Sequence, residues 1–188
     1  MRNLENLDLL DLDNLVSFDG NYLPIRQLTI DNPKLVNFVN STFPNLTSLV
    51  ILQNNFNDIT IRNFEQLQSI RINGSATTNG NTTGLIIQNT PNLTQLSVVL
   101  PTAINAVIQN TSLTSFPDNN SDLSSLKSVT LQDNLLMTTL FISKMPNVEN
   151  YEIINTPIDN TDGDASIKEL EFSDTSLVMF KGWRLKEL

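Results

Sequence analysis

The stretch LKSVTLQDNLL, residues 126–136, sets apolar Leu126, Val129, Leu131 and Leu136 around a polar Asn134. Its spacing is apolar, two residues, apolar, one, apolar, two, Asn, one, apolar. Val129 and Leu131 alternate with Thr130 and Gln132, which is the period of a short strand with one buried face. Asn134 falls where the chain turns away from that strand, and its amide suits bonds to turn backbone and to like residues in neighbouring copies.

The spacing returns along the chain, with Thr, Ser or Pro often in the Asn column. Upstream copies are Ile25, Leu28, Ile30, Pro33, Leu35, then Leu46, Leu49, Ile51, Asn54, Phe56, then Leu67, Ile70, Ile72, Ser75. A weaker copy holds Leu85, Ile87 and Thr90, and another Ala103, Ala106, Ile108, Thr111, Leu113. Downstream stand Val148, Tyr151, Ile153, Thr156, Ile158 and Ile167, Leu170, Phe172, Thr175, Leu177. The fourth-position residues 28, 49, 70, 85, 106, 129, 151 and 170 are 21, 21, 15, 21, 23, 22 and 19 apart. A period near 21 over almost the whole chain predicts a solenoid of stacked coils.

The expected fold is β-dominated, α/β only by the convention for such repeats. It is a single solenoid domain over residues 1–188, with one parallel β-sheet carrying all eight strands. Short 3₁₀ or extended segments are expected on the convex side, and residues 63–67 and 122–126 read as short helical turns. A second apolar pair should fill the core beneath the descending side: Leu15 and Phe18, Leu35 and Phe38, Phe56 and Ile59, Leu113 and Phe116, Leu177 and Phe180. Both ends enter the pattern in mid-motif, so truncation at one or both ends is expected.

The phrases FPNLTSLVILQNN (43–55), IIQNTPNLTQL (86–96) and VIQNTSLTSF (107–116) make the chain resemble leucine-rich-repeat proteins, and more narrowly receptor L-domains and related cell-surface repeat proteins. The resemblance implies short β-coils stacked into a right-handed solenoid whose surface binds other macromolecules. The chain departs from the usual secreted forms in lacking the cysteines of their caps.

Composition narrows the function. The 188 residues carry a formal charge of −9, and contain no His and no Cys. Acidity disfavours nucleic acid, whose phosphates call for Lys and Arg, and anionic membrane surfaces. Without His or Cys there is no Ser-His-Asp or thiolate catalysis, no disulfide framework and no Cys/His zinc site. No apolar run approaches a membrane span, and the N-terminal residues do not form a signal peptide. Sequons at Asn40, Asn45, Asn73, Asn81, Asn92, Asn110 and Asn119 are compatible with secretion.

The outward strand positions form the candidate partner-binding face: Val50, Leu52, Arg71, Asn73, Ile86, Gln88, Val107, Gln109, Thr130 and Gln132. Val50, Leu52, Ile86 and Val107 would make one apolar patch there, unless a loop covers it. Glu152, Glu169 and Glu171 fall on adjacent copies. Paired carboxylates can serve glycoside hydrolysis, but stacking alone brings such pairs together. Asp159, Asn160, Asp162, Gly163 and Asp164 resemble part of a calcium loop, yet its first position would be Ile158, which cannot ligate. The Gly-rich stretch 73–84 lacks the Lys of a phosphate loop; it reads as a flexible loop beside Arg71 and Ile86, with gating of the binding face as the alternative.

The expectation is a non-catalytic recognition module, part of a larger surface or secreted protein, with a protein or a glycan on its sheet face. It needs no cofactor, no metal, no nucleic acid and no direct membrane insertion. An intracellular adaptor or effector in the cytoplasm is the alternative. A fragment of a β-helical polysaccharide-cleaving enzyme ranks third, because the five Arg are scattered at 2, 26, 62, 71 and 184. Replacing Val129 or Leu131 by Asp is expected to abolish the cooperative melting of several neighbouring copies, since it buries an unpaired charge. Calorimetry would show it; an undisturbed transition would remove these residues from the core.

Overall fold

One local device recurs through the chain. The carbonyls of Phe43, Phe64, Thr90, Leu100, Leu123, Asn134 and Met145 each accept a bond from the N–H three residues later, at 2.9–3.4 Å. The two residues inside each turn are polar or Pro in every case but Leu135 and Leu136, and Pro at the first of them presets the turn. The closing residues Leu46, Leu67, Leu93, Ala103, Leu126, Met137 and Val148 are buried. Three residues on, another buried side chain starts the strand: Leu49, Ile70, Leu96, Ala106, Val129, Leu140 and Tyr151.

A computed structural model describes residues 4–12, 17–18, 24–31, 37–38, 43–52, 58–74, 83–162, 165–167, 169–173 and 183–185. Its strands stack in parallel as a β-solenoid. The first sheet is ordered β1 (Asn6–Leu10), β3 (Gln27–Asp31), β5 (Ser48–Leu52), β7 (Ser69–Asn73), β9 (Gln95–Val99). The second runs from β6 (Asp58–Arg62) through β8 (Gly84–Thr90), β10 (Asn105–Thr111), β12 (Ser128–Gln132) and β14 (Asn150–Ile154) to β17 (Glu169–Ser173). A third, short sheet holds β11 (Ser115–Phe116), β13 (Thr139–Leu140) and β15 (Asn160–Thr161). Two further parallel pairs are β2 (Ser17–Phe18) with β4 (Asn37–Phe38), and β16 (Ala165–Ile167) with β18 (Trp183–Leu185).

The expected single sheet is therefore two sheets. Leu28, Leu49 and Ile70 align in the first, while Leu85, Ala106, Val129, Tyr151 and Leu170 align in the second. The 15-residue interval from Ile70 to Leu85 is not a tightened coil; it is a crossing from one leg of the coil to the other. The true column partner of Ile70 is Leu96, 26 residues on, and that of Leu85 is Ile59, also 26 away. Followed along the chain, the strand-opening residues 49, 59, 70, 85, 96, 106, 116, 129, 140 and 151 advance by 10, 11, 15, 11, 10, 10, 13, 11 and 11. Each coil is two half-repeats of about eleven residues, one per leg. The back of the solenoid is a second strand, and the described residues contain one 3₁₀ turn, Ile142–Lys144. The segments 63–67 and 122–126 are tight turns rather than helix.

Both legs send alternate residues into one core. Leu49, Ile51, Ile70, Ile72, Leu96 and Val98 enter it from the first sheet, and Ile59, Ile61, Leu85, Ile87, Val129 and Leu131 from the second. Of the second apolar pairs, Ile59, Leu113 and Phe116 are buried as expected. The side chains of Leu15, Phe18, Leu35, Phe38, Phe56, Leu177 and Phe180 lie outside the described residues.

At or just after the ends of β6, β8, β10, β12 and β14 stands a residue of positive φ: Asn63 (62°), Asn89 (55°), Asn110 (51°), Asp133 (56°) and Asn155 (45°); in the first sheet Asp11 (52°) follows β1. Asn and Asp tolerate that region better than other non-Gly residues. Their side chains form an exposed ladder, Asn89 Nδ2 to Asn63 Oδ1 at 3.0 Å, Asn110 Nδ2 to Asn89 Oδ1 at 3.3 Å, and Asn155 Nδ2 to Asp133 Oδ1 at 2.9 Å.

The next residue at each of these second-sheet corners, Phe64, Thr90, Thr111, Asn134 or Thr156, is buried, and the last three make the inner ladder that the sequence led us to expect. Asn134 Oδ1 accepts from Thr111 Oγ1 (2.8 Å) and from the Thr111 N–H (3.2 Å). Its Nδ2 donates to the Ile108 carbonyl at 2.8 Å, and its main-chain N–H to Thr156 Oγ1 at 3.3 Å. Thr90, one coil before Thr111, has a buried hydroxyl with no hydrogen-bond partner.

Two substitutions in this one column should therefore act in opposite directions. Asn134→Ala strands the Thr111 N–H and the Ile108 carbonyl, and should cost roughly 2–5 kcal/mol. Thr90→Val removes an unsatisfied hydroxyl and should be neutral or stabilising by about 1 kcal/mol. Urea midpoints at unchanged slope would measure both; equal losses would contradict the ladder.

Candidate functional site

The ten residues of the candidate face divide between two flanks. Val50, Leu52, Arg71 and Asn73 point outward from the first sheet, where Val50 pairs with Arg71 and Leu52 with Asn73. Ile86, Gln88, Val107, Gln109, Thr130 and Gln132 point outward from the second. The expected apolar patch is thus two pairs, Val50 with Leu52 and Ile86 with Val107, held on different legs of the coil.

On the second flank the pairing builds straight rows. Thr60, Ile86, Val107, Thr130 and Glu152 occupy one, and Arg62, Gln88, Gln109, Gln132 and Ile154 the next. Ile86 and Val107 are half-buried between Thr60 and Thr130. Gln88 Nε2 donates to Gln109 Oε1 at 2.8 Å, and Thr130 Oγ1 to Glu152 Oε2 at 3.0 Å. Strand direction and register are thus shared over five coils, giving a regular surface whose apolar centre is edged by amides.

The first flank is irregular, and the reason is visible in its hydrogen bonds. No ladder joins β9 to β11. Contact between these coils is made at the ends instead. Ser112 N–H reaches the Leu93 carbonyl at 3.0 Å, and Asp122 bridges Val99. Between those anchors the later coil has more residues than β9 can face, and the excess forms a ledge at 114–121. Ser121 fixes it: its Oγ accepts from the Val98 N–H at 3.0 Å and donates to Asp118 Oδ1 at 2.5 Å. Lys144 Nζ, from the next coil, donates to the Asn119 carbonyl at 3.1 Å.

The ledge and the outward face of the first sheet enclose a groove of about 430 Å³. Its lining includes Ser48, Ser69, Arg71, Gln95, Ser97 and Asp118. Arg71 and Ser97 are shared with an adjoining depression of about 450 Å³ that adds Asn73, Val99 and Asn120. Val50, Arg71 and Asn73 of the candidate set are therefore brought together. Gln95 and Ser97 are not apparent in the eight-copy reading because β9 is not among those copies, and Asp118 and Asn120 lie on the ledge, outside the repeat. The signal was present: NLTSL at 45–49 and NLTQL at 92–96 are the same turn and strand.

The remaining candidates separate in the same way. Glu152 and Glu171 are register partners, as are Asn150 and Glu169, so the acidic run follows from stacking. In the calcium-like segment, Asn160 and Thr161 are strand residues, and Asp162 accepts from the Ser143 N–H at 3.1 Å and from Ser143 Oγ. Asp162 also adds to the upward shift of the Tyr151 hydroxyl, whose main cause is burial. Gly163 and Asp164 lie outside the described residues, as do 75–82 of the Gly-rich stretch, read from the sequence as a loop. At its end Gly84 is buried against Asp58, whose Oδ1 would stand 2.7 Å from an added Cβ. Thr83 Oγ1 donates to that same Asp58 oxygen at 3.0 Å. Among the described residues no three acidic side chains are grouped as metal ligands, and no helix is long and apolar enough to cross a membrane.

No family model, curated protein or solved structure matches the chain.

Asp162 is committed to Ser143, so melting in excess chelator and then in excess calcium should give the same midpoint. A reproducible rise of several degrees with calcium would show an ion at the 159–164 segment.

Proposed function

We propose that this chain is a non-catalytic recognition module of the leucine-rich-repeat kind, carried by a larger surface or secreted protein, and that its second flank binds a protein partner. The observation that carries this reading is the half-buried Ile86–Val107 pair, framed by Thr60 and Thr130 and by the hydrogen-bonded Gln88 and Gln109. An apolar centre with an amide rim is the anatomy of a protein interface. The rigid register of neighbouring strands presents it without an ordering cost.

The absence of His and Cys from the sequence supports a binding rather than a catalytic role. The sequon residues Asn45, Asn73, Asn92, Asn110 and Asn119 are all exposed, which supports a secretory setting. Arg71, one of the ten candidate-face residues, stands on the other flank and has no part in this surface.

The test is a tetramerised form of the protein on an array of secreted and surface-protein ectodomains. At least one ectodomain should bind, and Val107→Glu and Ile86→Glu should each weaken it tenfold or more. Stability should stay within about 0.5 kcal/mol, since both positions face outward. No binder, or a binder indifferent to both changes, would overturn the assignment.

A further inference from the structure

We propose that the groove on the first flank is a second, separate site, and that it takes an uncharged oligosaccharide of about three residues. Its donors and acceptors come mainly from short hydroxyl side chains and planar groups. Ser48, Ser69 and Ser97 stand on its floor, and Arg71, Gln95 and Asp118 offer paired planar donors or acceptors. Planar groups of that kind match vicinal hydroxyls in the way a guanidinium matches a carboxylate. Outward apolar side chains are few, Val50 in the groove and Val99 in the adjoining depression. Neither region has an aromatic side chain in its lining, so a protein side chain would find little to bury against.

Charge points the same way. The chain as a whole carries −9, yet this groove sets one guanidinium, Arg71, against one carboxylate, Asp118. A locally balanced site inside an acidic protein favours a neutral ligand over an anion or a cation. The dimensions agree. The groove crosses β5, β7 and β9 to the ledge, four coils at about 4.8 Å each, so one pyranose ring corresponds to about one coil. The hydroxyls already follow that repeat: Ser69 Oγ donates to Ser48 Oγ at 3.0 Å across one step.

Ser121 is a positioning residue here. It holds the Asp118 carboxylate at the groove while closing the Val98 N–H. The ledge is thereby fixed before any ligand arrives, which lowers the cost of binding.

The test uses protein made without N-glycosylation, because the Asn73 sequon borders the groove. Cellotriose, maltotriose, mannotriose and chitotriose are titrated by calorimetry and saturation-transfer NMR. At least one should bind, and Arg71→Gln and Asp118→Asn should each weaken it about tenfold, the effect of losing one charge-assisted bond. Val107→Glu, on the opposite flank, should leave that affinity unchanged. No binding at millimolar sugar, or binding that ignores both groove variants, would overturn the proposal. Equal loss in all three variants would also overturn it, because one shared site would then replace two. The protein partner of the second flank is tested separately, so either proposal can fail while the other stands.

Discussion

Main-chain hydrogen bonding fixes the rise between coils at about 4.8 Å, and the rest of the molecule answers to that distance. A five-residue leg travels about 16 Å, so the chain must retrace almost all of it before the next coil begins. Two legs and two short corners are the economical solution in about 21 residues. Corners that tight need a hydrogen-bonded turn and, most often after the second leg, a residue content at positive φ. This accounts for the placing of Asn63, Asn89, Asn110, Asp133 and Asn155. It also explains part of the heavy use of Asn, 26 residues in all.

Much of this was legible in the sequence. The period, the β-dominated solenoid, the inward alternation of Val129 with Leu131 and the inner ladder around Asn134 all follow from apolar spacing and Asn chemistry. The division into two sheets did not follow, for a physical reason. Both legs use the same local code, a turn, a buried residue, two more and a strand, so nothing in Leu85 marks it as belonging to a different leg from Ile70. Only the pairing of distant strands separates them. The 15-residue interval was the visible sign, and the matching NLTSL and NLTQL segments were the means of resolving it. Consequently the ten-residue face was right in orientation, every member pointing outward, and wrong in supposing one surface.

Insertions fall where a stack can absorb them. The interval from Ile70 to Leu85 and the ledge before Val129 both lengthen the connection that follows the first leg. Extra residues there leave the second sheet's register untouched from β6 to β17. The first sheet bears the consequence, because the ledge prevents β9 from pairing along its length. The groove therefore exists because one leg of one coil is too long to lie flat, and the neighbouring coil's Lys144 and the ledge's own Ser121 hold the surplus in place.

Inward positions of a solenoid must repeat, since each layer packs on the next. Outward positions and connections are free of that demand, and the two legs are free of each other. The second leg kept its connections short and presents a regular array with Ile86 and Val107 at its centre. The first accepted a break and presents a concave, hydroxyl-lined site around Arg71 and Asp118. One core thus supports two surfaces of unlike chemistry. Because the core residues behind each belong to different columns, a change on one flank need not be transmitted to the other. The outward residues of one flank can therefore vary while those of the other, and the shared inward columns, stay as they are.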